Sequence, residues 1–421
     1  MAAVDYDFAI LDLSDESDAA VARRRGWVGA VLRGFRDPRP EDELIDRWVG
    51  HYRTDRVVVR GAWLPEDAFG AGPMPVATYA SLDKTLNAGR ELLPLRMITD
   101  VTTSAAHRRR GLLRRMIEDD LADAVARRIP VAALTVSEAT IYGRWGFGPA
   151  TFRHGVEVDT TPGFAFRSFT DAGRVELLEP AEAWPHVKGV FDALHARQRG
   201  SVEWPAPYQD MHTGAFDFDG SGGHRKIRTA VHLDGDGGVD GFAIFKHEEK
   251  DSVKVGEMAA LTPQAQLGLW SFLASLDRVR TVTFNLVHPD DPLMWALTDL
   301  NRVKTTELVE FLWLRVLDVP RALEARPWAA DGSVVLEVDD PQGHAAGRYA
   351  VTVRDGVAAV TRTEDGPDVR VTAETLGSLY LGNVAVPQLH RAGRVEGAAD
   401  DVRRFGAIAD LREPAYNLTG F

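Results

Sequence analysis

Apolar and polar residues alternate from the start of the chain. Tyr6, Phe8 and Ile10 interleave with Asp5, Asp7 and Ala9, the period of a half-buried strand. The period lengthens to that of amphipathic helices over 20–35 and 41–52, then returns to strand-like over 56–62, 75–82 and 93–103. A strong amphipathic helix is predicted over 111–126 and an apolar strand over 131–136. Residues 1–160 therefore read as an α/β or α+β unit built around one sheet. Thr161-Pro162-Gly163 is a turn signal and opens a second stretch, 161–315. Helices are predicted there over 181–199 and 267–276, and strands over 227–233, 239–246, 252–261, 279–287 and 308–316. The element order resembles that of the first stretch, as a diverged duplication would, although the residues are not repeated. The third stretch, 316–421, is predicted as strands over 333–338, 348–354, 358–363 and 369–372, followed by helices over 373–381, 385–392 and 398–407. Asp331-Gly332, Asp355-Gly356 and Asp365-Gly366 supply its hairpin turns.

Composition narrows the picture. At 421 residues the chain exceeds what a single core serves, so two or three domains are expected. Its 45% hydrophobic and 26% charged residues are those of an ordinary globular protein. No apolar run is long enough for a membrane span, and the segment from Met1 to Phe8 lacks a secretory pattern. There is no cysteine, which excludes disulfides, thiolate metal sites and a cysteine nucleophile and permits a cytoplasmic location. A net charge of −13 argues against a nucleic-acid partner, which requires a positive face. It serves solubility and also suits a small cationic substrate.

One stretch carries chemistry: Met97-Ile-Thr-Asp-Val-Thr-Thr-Ser-Ala-Ala-His-Arg-Arg-Arg-Gly-Leu-Leu-Arg-Arg-Met116. A strand ends near Thr103, a short loop carries Arg108, Arg109, Arg110 and Gly111, and a helix begins at once. A helix start exposes unpaired N–H groups and a partial positive charge that suit an anion. Arginines beside it add forked donors for phosphate oxygens. Gly111 leaves room for close backbone approach. Three arginines ahead of a helix fit either a solvated basic patch or a pyrophosphate cradle. Their placement at a positive helix end calls for a compensating anion or acidic neighbours.

This stretch resembles the coenzyme motif of the GNAT superfamily of N-acetyltransferases, Arg/Gln-x-x-Gly-x-Gly/Ala, with Leu113 in place of the last small residue. Together with Ser137-Glu-Ala-Thr-Ile-Tyr-Gly-Arg-Trp-Gly-Phe-Gly-Pro-Ala150 it more closely resembles the Eis (enhanced intracellular survival) family of actinobacterial acetyltransferases, where leucine at that place is usual. The resemblance implies an α+β fold: tandem GNAT-like domains, each a mixed sheet with flanking helices, and a C-terminal sterol-carrier-protein-like domain. The divisions are set at 1–160, 161–315 and 316–421. It implies acetyl-CoA as co-substrate, no metal, a hexameric assembly, and acetylation of several amines on aminoglycosides or of polyamines. Main-chain groups of Val101, Thr102 and Thr103 would meet the acetyl and pantetheine end. Arg109, Arg110, Gly111, Leu112, Leu113 and Arg114 would hold the phosphates, and Ser137 and Glu138 would line the coenzyme site.

Tyr142 reads from spacing as a core aromatic beside Trp145 and Phe147; by the resemblance its hydroxyl is the proton donor. Gly143, Gly146 and Gly148 fit a tight helix exit or close approach of a ligand. Chain ends usually fray, but the resemblance assigns the base to the C-terminal carboxylate, here that of Phe421, delivered by the third domain. In the second stretch Glu257–Thr262 stands where a coenzyme strand would recur, without arginines after it, so its role is read as architectural. Asp234-Gly-Asp236 lacks the acidic twelfth position of a calcium loop, held by Phe245, and reads as a hairpin. The 12 histidines show no helical metal spacing. Asp217 and Asp219 read as a solvated loop or as groups facing a cationic substrate, and Trp27 and Phe35 either line the acceptor cleft or pack, with packing preferred. The alternative to an enzyme is a lipid-binding or scaffold protein with a vestigial acetyltransferase domain.

Overall fold

Local signals start several of the helices. Ser17, Thr262, Asp318 and Thr372 each accept a backbone N–H three residues on, satisfying a donor that the helix itself leaves orphaned. The computed structural model describes residues 5–136, 139–218, 222–249 and 251–421. The chain begins with β1 (Asp7–Leu11), α1 (Asp18–Phe35), α2 (Asp42–Thr54), β2 (Val58–Trp63), β3 (Ala77–Asn87) and β4 (Leu92–Thr103). It continues through α3 (Leu112–Ala126), β5 (Val131–Thr135), α4 (Ala139–Tyr142), β6 (Gly148–Pro149) and β7 (Phe152–Asp159). Next come β8 (Arg174–Leu178), α5 (Pro180–Arg197), α6 (Pro207–Thr213), β9 (Ile227–Leu233), β10 (Val239–Glu248) and β11 (Ser252–Ala260). There follow α7 (Pro263–Ser275), β12 (Thr281–Phe284), α8 (Leu293–Ala296), β13 (Val303–Glu310) and β14 (Leu312–Val316). The last part holds α9 (Val319–Ala325), β15 (Gly332–Asp339), β16 (Gly347–Arg354), β17 (Val357–Arg362) and β18 (Val369–Thr372). It ends with α10 (Ala373–Leu379), α11 (Val386–Arg391), β19 (Val395–Gly397) and α12 (Ala399–Ala409).

These strands form three sheets, ordered β1-β2-β3-β4-β5-β14-β6, β13-β7-β12-β11-β10-β9-β8 and β17-β16-β15-β18-β19. The first two have the same plan. Each is antiparallel except for one parallel pair, β4 with β5 and β11 with β12. Each also contains a strand from the other half of the chain: β14 lies between β5 and β6, and β7 lies between β12 and β13. Two strands thus cross the divisions drawn at 160 and 315.

The sequence predicts one strand over 308–316, whereas the chain makes two. Phe311 turns it from the second sheet into the first, its N–H bonded to the Thr151 carbonyl at 2.9 Å. The run is apolar on both sides of the turn, so periodicity carries no sign of the change of sheet. Leu312, Leu314 and Val316 of β14 share a core with Val334 and Leu336 of the third sheet, which ties the last part of the chain to the first.

Candidate active site

The parallel ladder between β4 and β5 ends at Ile98 opposite Leu134, while β4 runs on to Thr103. On its other side β4 carries a bulge: Thr99 and Thr102 pair with Ala80 and Thr78, leaving Asp100 and Val101 opposite Tyr79 alone. Asp100 adopts φ 52°, a left-handed conformation that Asp tolerates better than most residues. The separated strand ends open a cleft of about 370 Å³, lined among others by Asp100, Val101, Tyr142, Arg153, Glu310 and Phe421.

Of the sequence-predicted residues, Val101 lines this cleft. Thr102 turns its hydroxyl to Thr78 at 2.6 Å. A Cβ on Gly34 of α1 would lie 2.5 Å from the Thr102 side chain, so the helix rests directly on this strand. Thr103 is half-buried and pairs with Ala77. After a turn at 105–107, Arg109 at φ 62° and Gly111 at φ 78° are both left-handed, and Gly111 is the N-cap of α3. Among the described residues no side chain caps α3, and a Cβ on Gly111 would meet nothing within 4 Å, so they leave the helix entrance open. Here glycine answers the backbone angle more than crowding.

Arg109, Arg110 and Arg114 are exposed, and Arg114 pairs with Glu118 at 2.9 Å. Arg108, Arg109 and Arg110 form no ion pair among the described residues. Leu112 is buried and Leu113 half-buried, so their side chains pack and leave only main-chain N–H groups for a ligand. Burial and the charges of Arg110 and Arg33 lower the pKa of His107, which keeps its ring neutral beside Tyr6, 2.9 Å away. Ser137 and Glu138 lie outside the described residues.

Tyr142 is buried against Trp145 and Phe147 and also lines the cleft, so the core and site readings both describe its position. The glycines after it have a cause that sequence did not suggest. A Cβ on Gly146 would stand 2.1 Å from the Arg315 guanidinium, and one on Gly148 would stand 2.0 Å from the Glu374 carbonyl. Their close neighbours are β14 and α10, and no ligand is needed to explain them.

The chain end is not frayed. Tyr416, Asn417, Leu418 and Thr419 are buried. The Asn417 side chain bonds the Val202 and Thr419 N–H groups, each at 3.2 Å, and the Thr419 hydroxyl donates to the Val202 carbonyl at 2.5 Å. The Tyr208 hydroxyl donates to the Gly420 carbonyl at 3.1 Å and accepts from its N–H at 2.8 Å. Phe421 then reaches β5, where its N–H donates to the Thr135 hydroxyl at 3.2 Å and that hydroxyl donates to a terminal carboxylate oxygen. The terminal carboxylate and Tyr142 are thereby brought to one cleft.

Sequence reasoning assigned no role to the charged cleft residues Asp100, Arg153 and Glu310, and of the two readings of Phe35 the structure bears out the cleft, since it is 46% exposed and lines the opening. Trp27 packs as expected, its Nε1 donating to the Arg60 carbonyl at 2.8 Å. A charge at the polar end of β4 was the signal available for Asp100. No group of three or more metal-ligating side chains is assembled among the described residues, and no helix there is long and apolar enough to cross a membrane.

Comparison with known proteins agrees with this geometry. Models of an acetyltransferase (GNAT) domain match residues 21–150 and 200–316, and a sterol carrier protein domain matches 319–417. An uncharacterized N-acetyltransferase of Streptomyces griseus is 36% identical over 388 residues, covering 88% of this chain and 90% of that protein. The protein is thus an N-acetyltransferase with two GNAT domains and a sterol-carrier-type C-terminal domain. The N-acetyltransferase Eis of Mycobacterium tuberculosis is 35% identical over 357 residues, covering 80% of this chain and 83% of that one. The crystal structure of Eis1 from Mycobacterium abscessus superposes with a TM-score of 0.81 at 25% identity, covering 99% of this chain and 100% of the other. The chain belongs to the Eis N-acetyltransferase family.

Proposed function

We propose that the enzyme transfers acetyl from acetyl-CoA to amines of small cationic substrates, aminoglycosides or polyamines, at more than one amine per molecule. The observation that carries this reading is that β4, which lines the cleft with Tyr142 and Phe421, leads directly into the basic loop and helix start at 108–114. The main-chain N–H groups at 111–114, with Arg109 and Arg110, suit a diphosphate. Val101, Thr102 and Thr103 would guide the thioester arm between the separated strands, with Ser137 and Glu138 bordering the coenzyme site. The thioester supplies an activated acetyl carbon. Tyr142 protonates the departing sulfur, and the Phe421 carboxylate accepts a proton from the amine. Three carboxylates to one guanidinium around the cleft favour a cationic acceptor.

We further propose a homohexamer, a cytoplasmic location, and the division 1–160, 161–315 and 316–421 as catalytic, coenzyme-free and tail-delivering units. A thiol-release assay with kanamycin and spermidine tests the activity. Saturable acetyl-CoA binding without turnover on any amine would overturn it. The alternative, a lipid carrier or scaffold with a vestigial acetyltransferase domain, predicts calorimetric binding of an apolar ligand and none of acetyl-CoA.

A further inference from the structure

Asp100 is a carboxylate at the base of the cleft whose surroundings are unlike those of the other acids. Its backbone is fixed by the β4 bulge and by the Thr78 hydroxyl, which donates to its carbonyl at 2.7 Å. Its side chain is pinned from the far side by Tyr52 of α2, whose hydroxyl donates to Oδ2. Tyr52 is itself held edge-on by Trp27 and Trp48, at ring distances of 6.0 and 6.1 Å. Oδ1 makes no hydrogen bond among the described residues, and Asp100 lines the cleft. No cation pairs with Asp100 among the described residues. The titratable or charged groups around it are Tyr52 from α2, Tyr142 from α4, Arg153 from β7, Glu310 from β13 and the Phe421 carboxylate. Desolvation by burial pushes its pKa up to about 7.

A fixed left-handed residue, a carboxyl with one anchored and one free oxygen, and a cleft rich in carboxylates form a built receptor for one ammonium group. We propose that Asp100 is a catalytic residue of this enzyme: its free oxygen receives the acceptor ammonium and takes the proton that must leave before nitrogen can attack. The inference rests on the acetyltransferase reading and deepens it by naming a first base distinct from the chain end.

The proton balance needs two acceptors. The ammonium gives one proton to Asp100. The freed lone pair forms the C–N bond at the thioester carbonyl, the C–S bond breaks with its electron pair on sulfur, and sulfur takes the Tyr142 proton. The second nitrogen proton passes to the Phe421 carboxylate and from there restores Tyr142, while Asp100 releases its proton to solvent. One proton is released per turnover, as amide formation from an ammonium requires. A base that titrates near neutrality suits this task, because it is ionised in a useful fraction of molecules and still holds the proton.

The test is Asp100→Asn in the full chain, with spermidine as acceptor. The wild type should show a rise of kcat/KM through an apparent pKa near 7. In Asp100→Asn that limb should vanish and kcat should fall by roughly 100-fold or more. Calorimetry of spermidine binding at pH 7, in two buffers of different ionisation enthalpy, supplies a readout free of turnover. The wild type should release a fraction of a proton and Asp100→Asn none, with the thermal midpoint retained. Tyr52→Phe, which keeps the ring, should shift the pH limb without abolishing it. A variant that keeps both the limb and the proton release overturns the proposal, even if its rate is lower. If the wild type acetylates no amine the functional reading fails, and the binding-linked proton still decides whether Asp100 receives an ammonium.

Discussion

Tyr208 gives a sharp test of the buried chain end. Its ring stacks on Trp204 at 5.1 Å, and its hydroxyl makes both hydrogen bonds to Gly420. Burial and the charge of Glu257 push the phenol pKa well up, so the group stays a neutral donor and acceptor throughout the working range. Tyr208→Phe keeps the ring and removes both bonds. At about 0.5–1.5 kcal/mol net for each, the last two residues lose about 1–3 kcal/mol of docking, roughly a 5- to 150-fold rise in local opening. Asn417, Thr419 and Tyr416 remain anchored, so the rest of the tail stays in place. Amide exchange at Gly420 and Phe421 should accelerate by about 5-fold or more, kcat should fall, and the thermal midpoint should move by only a few degrees. Protection and rate both unchanged would refute the account of how the carboxylate is held. A lower kcat with full protection would show that the tail is not the route of the effect.

Three further outcomes follow from the same geometry. Arg109→Ala with Arg110→Ala should raise KM for acetyl-CoA by about tenfold or more at low salt, with kcat and thermal midpoint nearly unchanged, because the side chains are exposed and unpaired among the described residues; unchanged KM would remove them from the phosphate site. Gly146→Ala combines φ 75° with a methyl 2.1 Å from Arg315, and urea unfolding should show a loss of roughly 2–4 kcal/mol; a loss below about 1 kcal/mol would mean the turn relaxes freely. Burial pushes Asp340 up, but Arg315, 2.7 Å away, and the Ala345 and Gln342 amides outweigh it and hold the carboxyl below its usual 3.8. A depressed native pKa means that the unfolded chain binds the proton more readily. The pair's stabilisation is therefore complete above that value and lost as pH falls through the native one. The gap between the melting curves of wild type and Asp340→Asn should begin to narrow as pH falls below about 4 and continue to narrow through the native pKa, and a constant gap down to pH 3 would contradict the pairing.

Much of the molecule is legible in the chain because its signals are local. The strand-to-helix switch at Thr103–Leu112 and the run of arginines ending at Gly111 lie within a dozen residues, although the left-handed angle at Gly111, read as room for a ligand, came only from the structure. In the third sheet Asp355-Gly356 makes the β16–β17 hairpin as expected, whereas Asp331-Gly332 only opens β15 and Asp365-Gly366 joins strands that do not pair. The cleft itself was not legible. Asp100 owes its pinned carboxyl to Tyr52, Phe421 its place to Thr135 and Tyr208, and Gly146 its bareness to Arg315, all partners far away in the chain. Short segments with weak periodicity, such as α6 and β8, were likewise missed, although α6 carries the tail's anchor.

The amino-acid sequence by itself determined the kind of enzyme and the place of its basic loop and helix entrance, because these need only neighbouring residues. Tertiary structure decided which sheet each strand joins, above all the exchange of β7 and β14, and which side chains meet at the β4–β5 gap. Strand pairing and burial depend on contacts between distant segments. A one-dimensional pattern specifies which face of a strand is apolar, but not the neighbour that covers it.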